Sequence, residues 1–146
     1  MNEALQAVLG LLACVAAVSI VVSSLRLGIA PMPSSLRAGR AMLDAAGALP
    51  GGTVVDLGSG WGTLAIRFAR RHPGCRVVGY EASPVPWAVS MALKHLLGLR
   101  NLSFVRRDFL RAALPEGAVL LCYLFPAGMQ ALAAKLRSEG CRPALV

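Results

Sequence analysis

Histidine and closely spaced cysteine, which together build most protein zinc sites, are scarce in this chain. It has two histidines, and its four cysteines, Cys14, Cys75, Cys122 and Cys141, are far apart and form no paired spacing. A disulfide framework or a structural zinc site needs such spacing. We therefore expect no metal, and we expect the cysteines to be small, buried apolar side chains in a reducing compartment.

Acidic residues are also scarce, with 7 Asp and Glu against 15 Lys and Arg, for a net charge of +8. This balance is typical of proteins that contact nucleic acid or an anionic membrane surface. The arginine pairs at 70–71 and 106–107 lack interleaved aromatic residues, so each is equally consistent with an ordinary solvated face. We expect a membrane surface and no nucleic acid, because the same chain carries a long apolar segment.

Charge is absent altogether from residues 4–25. About 20 apolar helical residues span the core of a bilayer, so this segment is long enough to do so. A signal peptide would begin with basic residues, whereas the only early charged side chain is Glu3, although small residues at 22–24 leave cleavage open as an alternative. A buried core helix is a further alternative, but such helices are usually shorter and amphipathic.

We therefore expect residues 1–27 to be an uncleaved, single-pass transmembrane anchor. Basic residues close to a membrane span tend to lie on the cytoplasmic side. Three of them follow the segment, Arg26, Arg37 and Arg40. The sequence thus predicts that the domain after this segment is cytoplasmic, at the inner membrane if the protein is bacterial.

Beyond the anchor, the sequence predicts a linker and one α/β domain. Residues 28–35 are rich in proline and serine, as linkers are, and the domain extends over 36–146. A first helix at 36–49 precedes predicted strands at 53–57, 75–80, 102–106 and 118–124, which alternate with helices at 64–71, 84–97 and 128–138. This alternation predicts a Rossmann-like, doubly wound parallel sheet. Residues 144–146 resemble the start of a fifth strand, so we expect the sheet to be truncated there.

Three glycines follow the first predicted strand in the stretch DLGSGWG, residues 56–62. A dinucleotide-binding loop needs its third glycine where this chain has Thr63, and a P-loop needs a Gly-Lys pair that is absent. Asp56 would repel phosphate but suits an ammonium group, and the start of the next helix suits a carboxylate. Glycines allow close approach of the backbone. S-adenosylmethionine has an ammonium group, a carboxylate and no phosphate, and it fits these conditions.

Two further acids follow the next two predicted strands. Glu81 can accept hydrogen bonds from both hydroxyls of a ribose, and Asp108 can accept one from an adenine amine, with Phe109 beside the ring. Taken singly, each acid has an ordinary alternative: Asp56 as a helix cap, Glu81 as a surface acid, and Asp108 as the partner of Arg106 or Arg107. Parallel strands bring all three to one edge of the sheet, which favours a shared site.

Together these residues resemble the class I S-adenosylmethionine-dependent methyltransferases. DLGSGWG resembles the first motif of that family, Glu81 its ribose-binding acid and Asp108 its adenine-binding acid, and the resemblance extends over residues 36–146. It implies S-adenosylmethionine as the cofactor and methyl transfer as the activity. The cofactor-binding residues that it implies are Asp56, Gly58, Ser59, Gly60, Gly62, Glu81, Asp108 and Phe109.

A narrower group, the membrane-associated protein-lysine methyltransferases, is also similar. It includes the enzymes that act on the ATP synthase c subunit, and their bacterial relatives. The apolar N-terminal segment, the linker APMPSS and the fourth strand ending CYLFP carry this resemblance. Trp61 and Thr63 depart from it, because that group usually has an acidic and a basic residue there.

The narrower resemblance implies in-line transfer of a methyl group to a lysine of a membrane-bound protein. Tyr123 is the expected catalytic residue, since it follows the fourth strand on the side where an acceptor approaches; the alternative is that it packs under the next helix. Two other functions stay open, an NAD(P)-dependent oxidoreductase and a non-catalytic cofactor-binding or assembly module. Thr63 and the lack of a catalytic Tyr-Lys or His pair argue against the oxidoreductase.

Overall fold

A computed structural model describes residues 2–27, 36–47, 49 and 51–140. The helices are α1 (Glu3–Leu27), α2 (Leu36–Ala46), α3 (Thr63–Arg71), α4 (Pro84–Leu96) and α5 (Pro126–Glu139), and the strands are β1 (Gly52–Leu57), β2 (Cys75–Tyr80), β3 (Leu102–Val105) and β4 (Val119–Cys122). Every helix and strand predicted within these residues is present, with small differences in its ends. The predicted linker at 28–35 and the strand start at 144–146 lie outside the described residues.

The described strands form one parallel sheet in the order β3-β2-β1-β4. The chain moves outward from β1 through β2 to β3 and then returns to the other side of β1, so the strand order reverses between β1 and β4. In the sheet, Leu57 is level with Tyr80 on one side and with Cys122 on the other. This confirms the Rossmann-like fold, and such reversals are where doubly wound sheets bind their ligands.

Each face of the sheet carries its own apolar core, because neighbouring residues of a strand point to opposite faces. Val54 and Phe104 belong to the core beneath α2, α3 and α4, whereas Val55 and Leu120 belong to the core on the face that α5 covers. Burying one such side chain contributes about 1.5–3 kcal/mol. The two cores together fix the height and direction of the strand ends, where the site is built.

The connection between β3 and β4, residues 106–118, contains no α-helix in the structure. Phe109, Ala112 and Leu114 from this connection pack into the core on the α5 face. They fill space that a crossover helix would otherwise cover. Phe109 is therefore a core residue of this fold, in addition to its position next to Asp108.

Helix α1 is apolar around its whole circumference, and its side chains are largely exposed. Over Glu3–Val22 it is long and apolar enough to cross a bilayer, and none of that stretch is buried within the protein. It contacts the domain at α4. Cys14, which we expected to be buried, is exposed on α1 because so little of that helix packs against the domain.

Candidate active site

The glycine-rich loop, residues 58–62, links the end of β1 to α3 and is tied to the end of β2. The backbone N–H groups of Gly58 and Ser59 both donate to the carbonyl oxygen of Tyr80, at 3.0 and 2.9 Å. Gly58, Gly60 and Gly62 have φ angles of 76°, 52° and 78°, in the left-handed region that favours glycine. The loop therefore turns sharply above β1 and ends next to β2.

One side of this loop is tightly packed. A Cβ atom on Gly62 would lie 2.6 Å from Cζ of Phe104 and 2.8 Å from Cβ of Ser90. A Cβ atom on Gly79, within β2, would lie 2.6 Å from Cδ1 of Phe104 and 2.9 Å from Oγ of Ser59. Such contacts leave no room for a side chain at either glycine. The Phe104 ring thus sets how closely α3 and the loop approach the sheet.

The middle of the loop, at Gly60, is less crowded than the loop at Gly62. A Cβ atom on Gly60 would have no neighbour closer than the carbonyl oxygen of Gly58, at 4.0 Å. The strain of its left-handed backbone, and not crowding, is what favours glycine here. Gly60 is nevertheless buried, whereas Gly58 is the glycine of this loop that is exposed to solvent.

Glu81 is the residue that joins the glycine-rich loop to the end of β2. Its side chain is buried, and Oε2 accepts a hydrogen bond of 2.8 Å from the backbone N–H of Gly60. Oε1 accepts a second bond, of 2.7 Å, from the N–H of Ser83 at the start of α4. Hydrogen bonds to a carboxylate are stronger than neutral ones. A carboxylate can accept more than two, so Glu81 retains capacity for a further donor.

Asp56 lies at the end of β1 with 3% of its surface exposed, and its Oδ2 atom has no hydrogen-bond partner among the described residues. Burial raises the pKa of this carboxyl group to about 7, although the backbone N–H of Ala65 lowers it, and the nearby Glu81 raises it further. Oγ of Ser59 is likewise buried without a partner there. Unsatisfied buried polar atoms are costly, so these two atoms suit a ligand that brings hydrogen-bond donors or positive charge.

Asp108 is held beside Glu81 through the backbone, since the N–H of Arg107 donates to the carbonyl oxygen of Glu81 at 3.1 Å. Its Oδ1 atom accepts a 2.9 Å bond from the N–H of Leu110, and its Oδ2 atom lies 3.8 Å from Nε of Arg111. The ion pair of Asp108 among the described residues is thus with Arg111, and not with Arg106 or Arg107, the partners expected from the sequence. The three predicted acids do lie at one edge of the sheet, and Asp108 is the most exposed of them.

Phe109 is buried beneath this edge, and its ring reaches the glycine-rich loop from below. Its Cε1 atom would be 3.9 Å from a Cβ atom on Gly58. The ring belongs to the core on the α5 face and supports the loop. With 6% of its surface exposed, Phe109 has little area left for a ligand, and its position beside an adenine ring stays a prediction.

Tyr123 follows β4 and has 47% of its surface exposed, so it does not pack under the next helix. The preceding residue, Cys122, is level with Leu57 of β1, which places Tyr123 across the strand-order reversal from Asp56. Burial, and then the charge of Asp56, raise the pKa of the Cys122 thiol to about 11, so this thiol stays neutral. Phe125, at the start of α5, is a second exposed aromatic side chain close to Tyr123 in the chain.

Sequence reasoning missed three contributors to this site, Gly79, Ser83 and Cys122. Gly79 could have been found, because a glycine inside a strand often marks a close approach of another group. Ser83 had a signal as well, since a serine followed by proline is typical of a helix start. Nothing in the sequence marks Cys122 as the neighbour of Asp56. No cluster of three or more potential metal ligands occurs among the described residues.

Comparison with known proteins adds to this geometry. An RNA methyltransferase from Salinibacter ruber, solved with S-adenosylhomocysteine, is 27% identical, and the alignment covers 79% of this chain and 72% of that one with a TM-score of 0.62. A methyltransferase from Geobacter sulfurreducens, also solved with S-adenosylhomocysteine, shares the fold at 22% identity, with a TM-score of 0.54 over 72% of this chain and 45% of that one.

Among curated proteins, the bovine acetylserotonin O-methyltransferase is 35% identical over 65 residues. The match covers 43% of this chain and 18% of the bovine protein, so it spans about a fifth of that relative.

A family model assigns the chain to a family. The model described as the ANTKMT methyltransferase domain matches residues 56–146, which is more than half of the chain and includes the glycine-rich loop, Glu81, Asp108 and Tyr123. The chain therefore belongs to the ANTKMT methyltransferase domain family, within the class I S-adenosylmethionine-dependent methyltransferases.

Proposed function

We propose that this protein binds S-adenosylmethionine at the glycine-rich loop and transfers its methyl group to a lysine of a membrane-bound protein. The observation that carries the proposal is the buried Glu81 carboxylate, which is bonded to Gly60 in the loop and lies near Asp56, whose Oδ2 atom has no partner among the described residues. This arrangement offers acceptors for hydroxyl groups and an acidic group for a cation, and the two carboxyl groups disfavour a phosphate beside them. The family membership supports the same cofactor.

The residues fit the cofactor on the donors and acceptors that they provide. Asp56 and Ser59 have buried polar atoms without partners, which the ammonium end of the cofactor would satisfy. Glu81 has remaining acceptor capacity for ribose hydroxyls, and Asp108 for an adenine amine. The exposed backbone at Gly58 permits close contact. An NAD(P) cofactor fits less well, because its pyrophosphate would meet the charges of Asp56 and Glu81.

When bound, S-adenosylmethionine supplies a methyl group that its sulfonium already activates. The task of the protein is then to orient the acceptor, to exclude water and to favour the neutral form of an incoming amine. Tyr123 can accept a hydrogen bond from such an amine through its phenolic oxygen, and its exposure leaves it free to do so. Phe125 extends an apolar lip beside it. The neutral Cys122 thiol adds no competing charge.

The membrane part of the proposal rests on α1. As a single-pass anchor, α1 would hold the domain at the cytoplasmic face of a membrane and keep it at a high local concentration near membrane-bound substrates. The basic residues that follow the apolar segment support this orientation. A non-catalytic assembly role would use the same anchor and the same loop, so catalysis has to be tested separately.

Cofactor choice is tested by calorimetric titration of the full chain, in detergent micelles, with S-adenosylhomocysteine and with NADH. We expect only S-adenosylhomocysteine to bind, and we expect Asp56→Ala and Glu81→Ala to weaken that binding. Glu116→Ala is the matched control, because Glu116 is an exposed acid ahead of β4, at the opposite edge of the sheet. Binding of NADH, or equal binding by all variants, would overturn the cofactor assignment.

Acceptor choice is tested with cofactor labelled on the methyl group and native membranes as the substrate source. We expect the label in protein, and specifically in methylated lysine after hydrolysis. Tyr123→Phe should reduce this labelling while S-adenosylhomocysteine still binds. Label found in RNA, lipid or small molecules alone would refute the lysine assignment, and binding without any transfer would favour the assembly role.

A further inference from the structure

A short segment at the end of α4, residues 94–100, combines exposed leucines with cations. Leu96 is 83% exposed and Leu97 is 44% exposed, although both are large apolar side chains. We call this segment the α4 tip. Single exposed leucines are common on protein surfaces, so the pair is informative only together with what surrounds it.

The surroundings of the α4 tip are basic. Lys94, His95 and Arg100 belong to the segment itself, and the sequence contains no acidic residue between Glu81 and Asp108. Arg76, at the start of β2, is exposed at the same amino-terminal edge of the sheet. Among the described residues, none of these side chains forms a salt bridge. The tip therefore presents leucines flanked by uncompensated positive charge.

The position of α1 indicates one partner that would bind both the leucines and the cations of the α4 tip. Helix α1 contacts the domain at α4, and it is the segment long and apolar enough to enter a bilayer. A bilayer that takes up α1 must therefore have its surface close to α4. Apolar side chains with flanking Lys and Arg are the combination that binds an anionic lipid surface, through burial of the former and attraction of the latter.

We propose that the α4 tip is a second membrane contact, which docks the domain on an anionic lipid surface beside the α1 anchor. This inference rests on the membrane anchoring proposed above. Leu96 and Leu97 enter the headgroup region, while Lys94 and Arg100 lie level with the lipid phosphates. A protein partner would suit the leucines equally well, but it would not account for the cations that flank them on the helix that α1 contacts.

Docking at the tip fixes the direction in which the active site faces. Helix α4 runs antiparallel to the strands, so its end lies at the opposite edge of the sheet from Glu81 and Asp56. A six-residue strand is about 20 Å long. The site then lies on the order of 20 Å from the lipid surface, and an acceptor lysine would have to reach that far from the membrane.

The test places an environment-sensitive fluorescent amino acid at position 96 of the full chain, reconstituted into vesicles with spin-labelled lipid as the quencher. The vesicles contain phosphatidylcholine alone or phosphatidylcholine and phosphatidylserine in equal parts. The same probe at Gln130, which is exposed on α5 across the sheet, is the matched control, and a probe at Leu12 reports whether α1 has inserted. We expect quenching at 96 to exceed that at 130, and to be stronger in the anionic vesicles.

Charge removal sharpens the test. Each cation near an anionic surface contributes a factor of about five, so Lys94→Gln with Arg100→Gln should shift the docking equilibrium about thirtyfold. Quenching at 12 without quenching at 96 would overturn the second contact and leave the anchor intact. No quenching at either position would overturn the anchor as well. Protection of position 96 from an aqueous quencher without lipid quenching would mean that protein covers the tip, which also refutes the proposal.

Discussion

The two sides of the strand-order reversal differ in how completely the protein satisfies its own groups. On the β1–β2 side, the glycine-rich loop is bonded to Tyr80 and Glu81, and Gly62 and Gly79 pack against Phe104. On the β4 side, Tyr123 and Phe125 are about half exposed. Packing and hydrogen bonds within the fold fix the residues of the first side, whereas the aromatic side chains of the second side are exposed to solvent.

In the function proposed above, this difference would separate the recognition of the cofactor from that of the acceptor. Interior packing fixes positions to within fractions of an ångström, and groups held in this way are ready for a ligand of constant shape. Exposed aromatic side chains are instead suited to a partner that supplies the other half of the contact. We therefore expect substitutions on the β1–β2 side to affect folding and cofactor binding together, and those at Tyr123 to affect only transfer.

The largest effect on stability is expected from the buried carboxyl group of Asp56. Its pKa is raised from 3.8 to about 7, so the folded state keeps the proton that the unfolded state loses. Stability should therefore fall as pH rises from about 4 to about 7, by as much as about 4 kcal/mol. Asp56→Asn should remove this fall, and denaturant unfolding of the full chain at about pH 4 and about pH 8 measures it. An unchanged pH profile would mean that Asp56 is not the group responsible.

Packing behind the loop gives the next largest effect. Gly62→Ala combines a left-handed backbone with contacts below 3 Å, and it should cost about 2–4 kcal/mol of unfolding free energy. Gly117→Ala is the control, because Gly117 has a φ of 65° but no atom within 4 Å of a new Cβ. It should cost only the backbone strain, about 1–2 kcal/mol. Equal losses in the two variants would contradict the packing argument.

A smaller effect, on cofactor affinity, is expected at Glu81, where one carboxylate accepts hydrogen bonds from two backbone N–H groups. Glu81→Gln keeps the shape of the side chain but loses the charge and one acceptor oxygen, which should weaken S-adenosylhomocysteine binding by about 1.5–3 kcal/mol. That corresponds to at least about a tenfold change in affinity. Calorimetry on the full chain measures it, with Glu116→Gln as the control. An unaltered affinity would remove Glu81 from the binding site.

The smallest effect on stability is expected on the open side. Tyr123→Phe removes only a hydroxyl group from an exposed ring, so stability should change by less than about 0.5 kcal/mol. The rate of methyl transfer should fall while cofactor affinity stays the same. Kinetics alongside calorimetry separates these two quantities. A loss of cofactor affinity would erase the distinction between the two sides of the site.

The pattern of residues was sufficient to predict the fold of the described chain. Apolar runs such as those of β1 and β2 alternate with amphipathic helices, and few arrangements other than a doubly wound sheet bury both. The expectation that Asp56, Glu81 and Asp108 lie at one edge of that sheet, beside the glycine-rich loop, also agrees with the structure. Such elements can be predicted from sequence because the spacing of apolar residues in a strand or helix, and of glycines in a tight loop, follows directly from backbone geometry.

Contacts between distant residues could not be predicted in the same way. The bonds of Glu81 to Gly60 and Ser83, the packing of Phe104 against Gly62, and the burial of Phe109 depend on how segments approach each other in three dimensions. The helix-free connection before β4 was not anticipated in detail either, since its apolar side chains have no regular period. The exposure of Tyr123 depends on what surrounds it, which a linear pattern does not contain.

The two bonds of Glu81 have a consequence for selectivity among nucleosides. About half of the lone pairs of this buried carboxylate are already taken by Gly60 and Ser83, and the remainder need donors from the ligand. A site built to bond hydroxyl groups rejects analogues that lack them, because its own polar atoms are left unpaired. A deoxyribose version of the cofactor should accordingly be discriminated against, although it is smaller and meets no steric barrier.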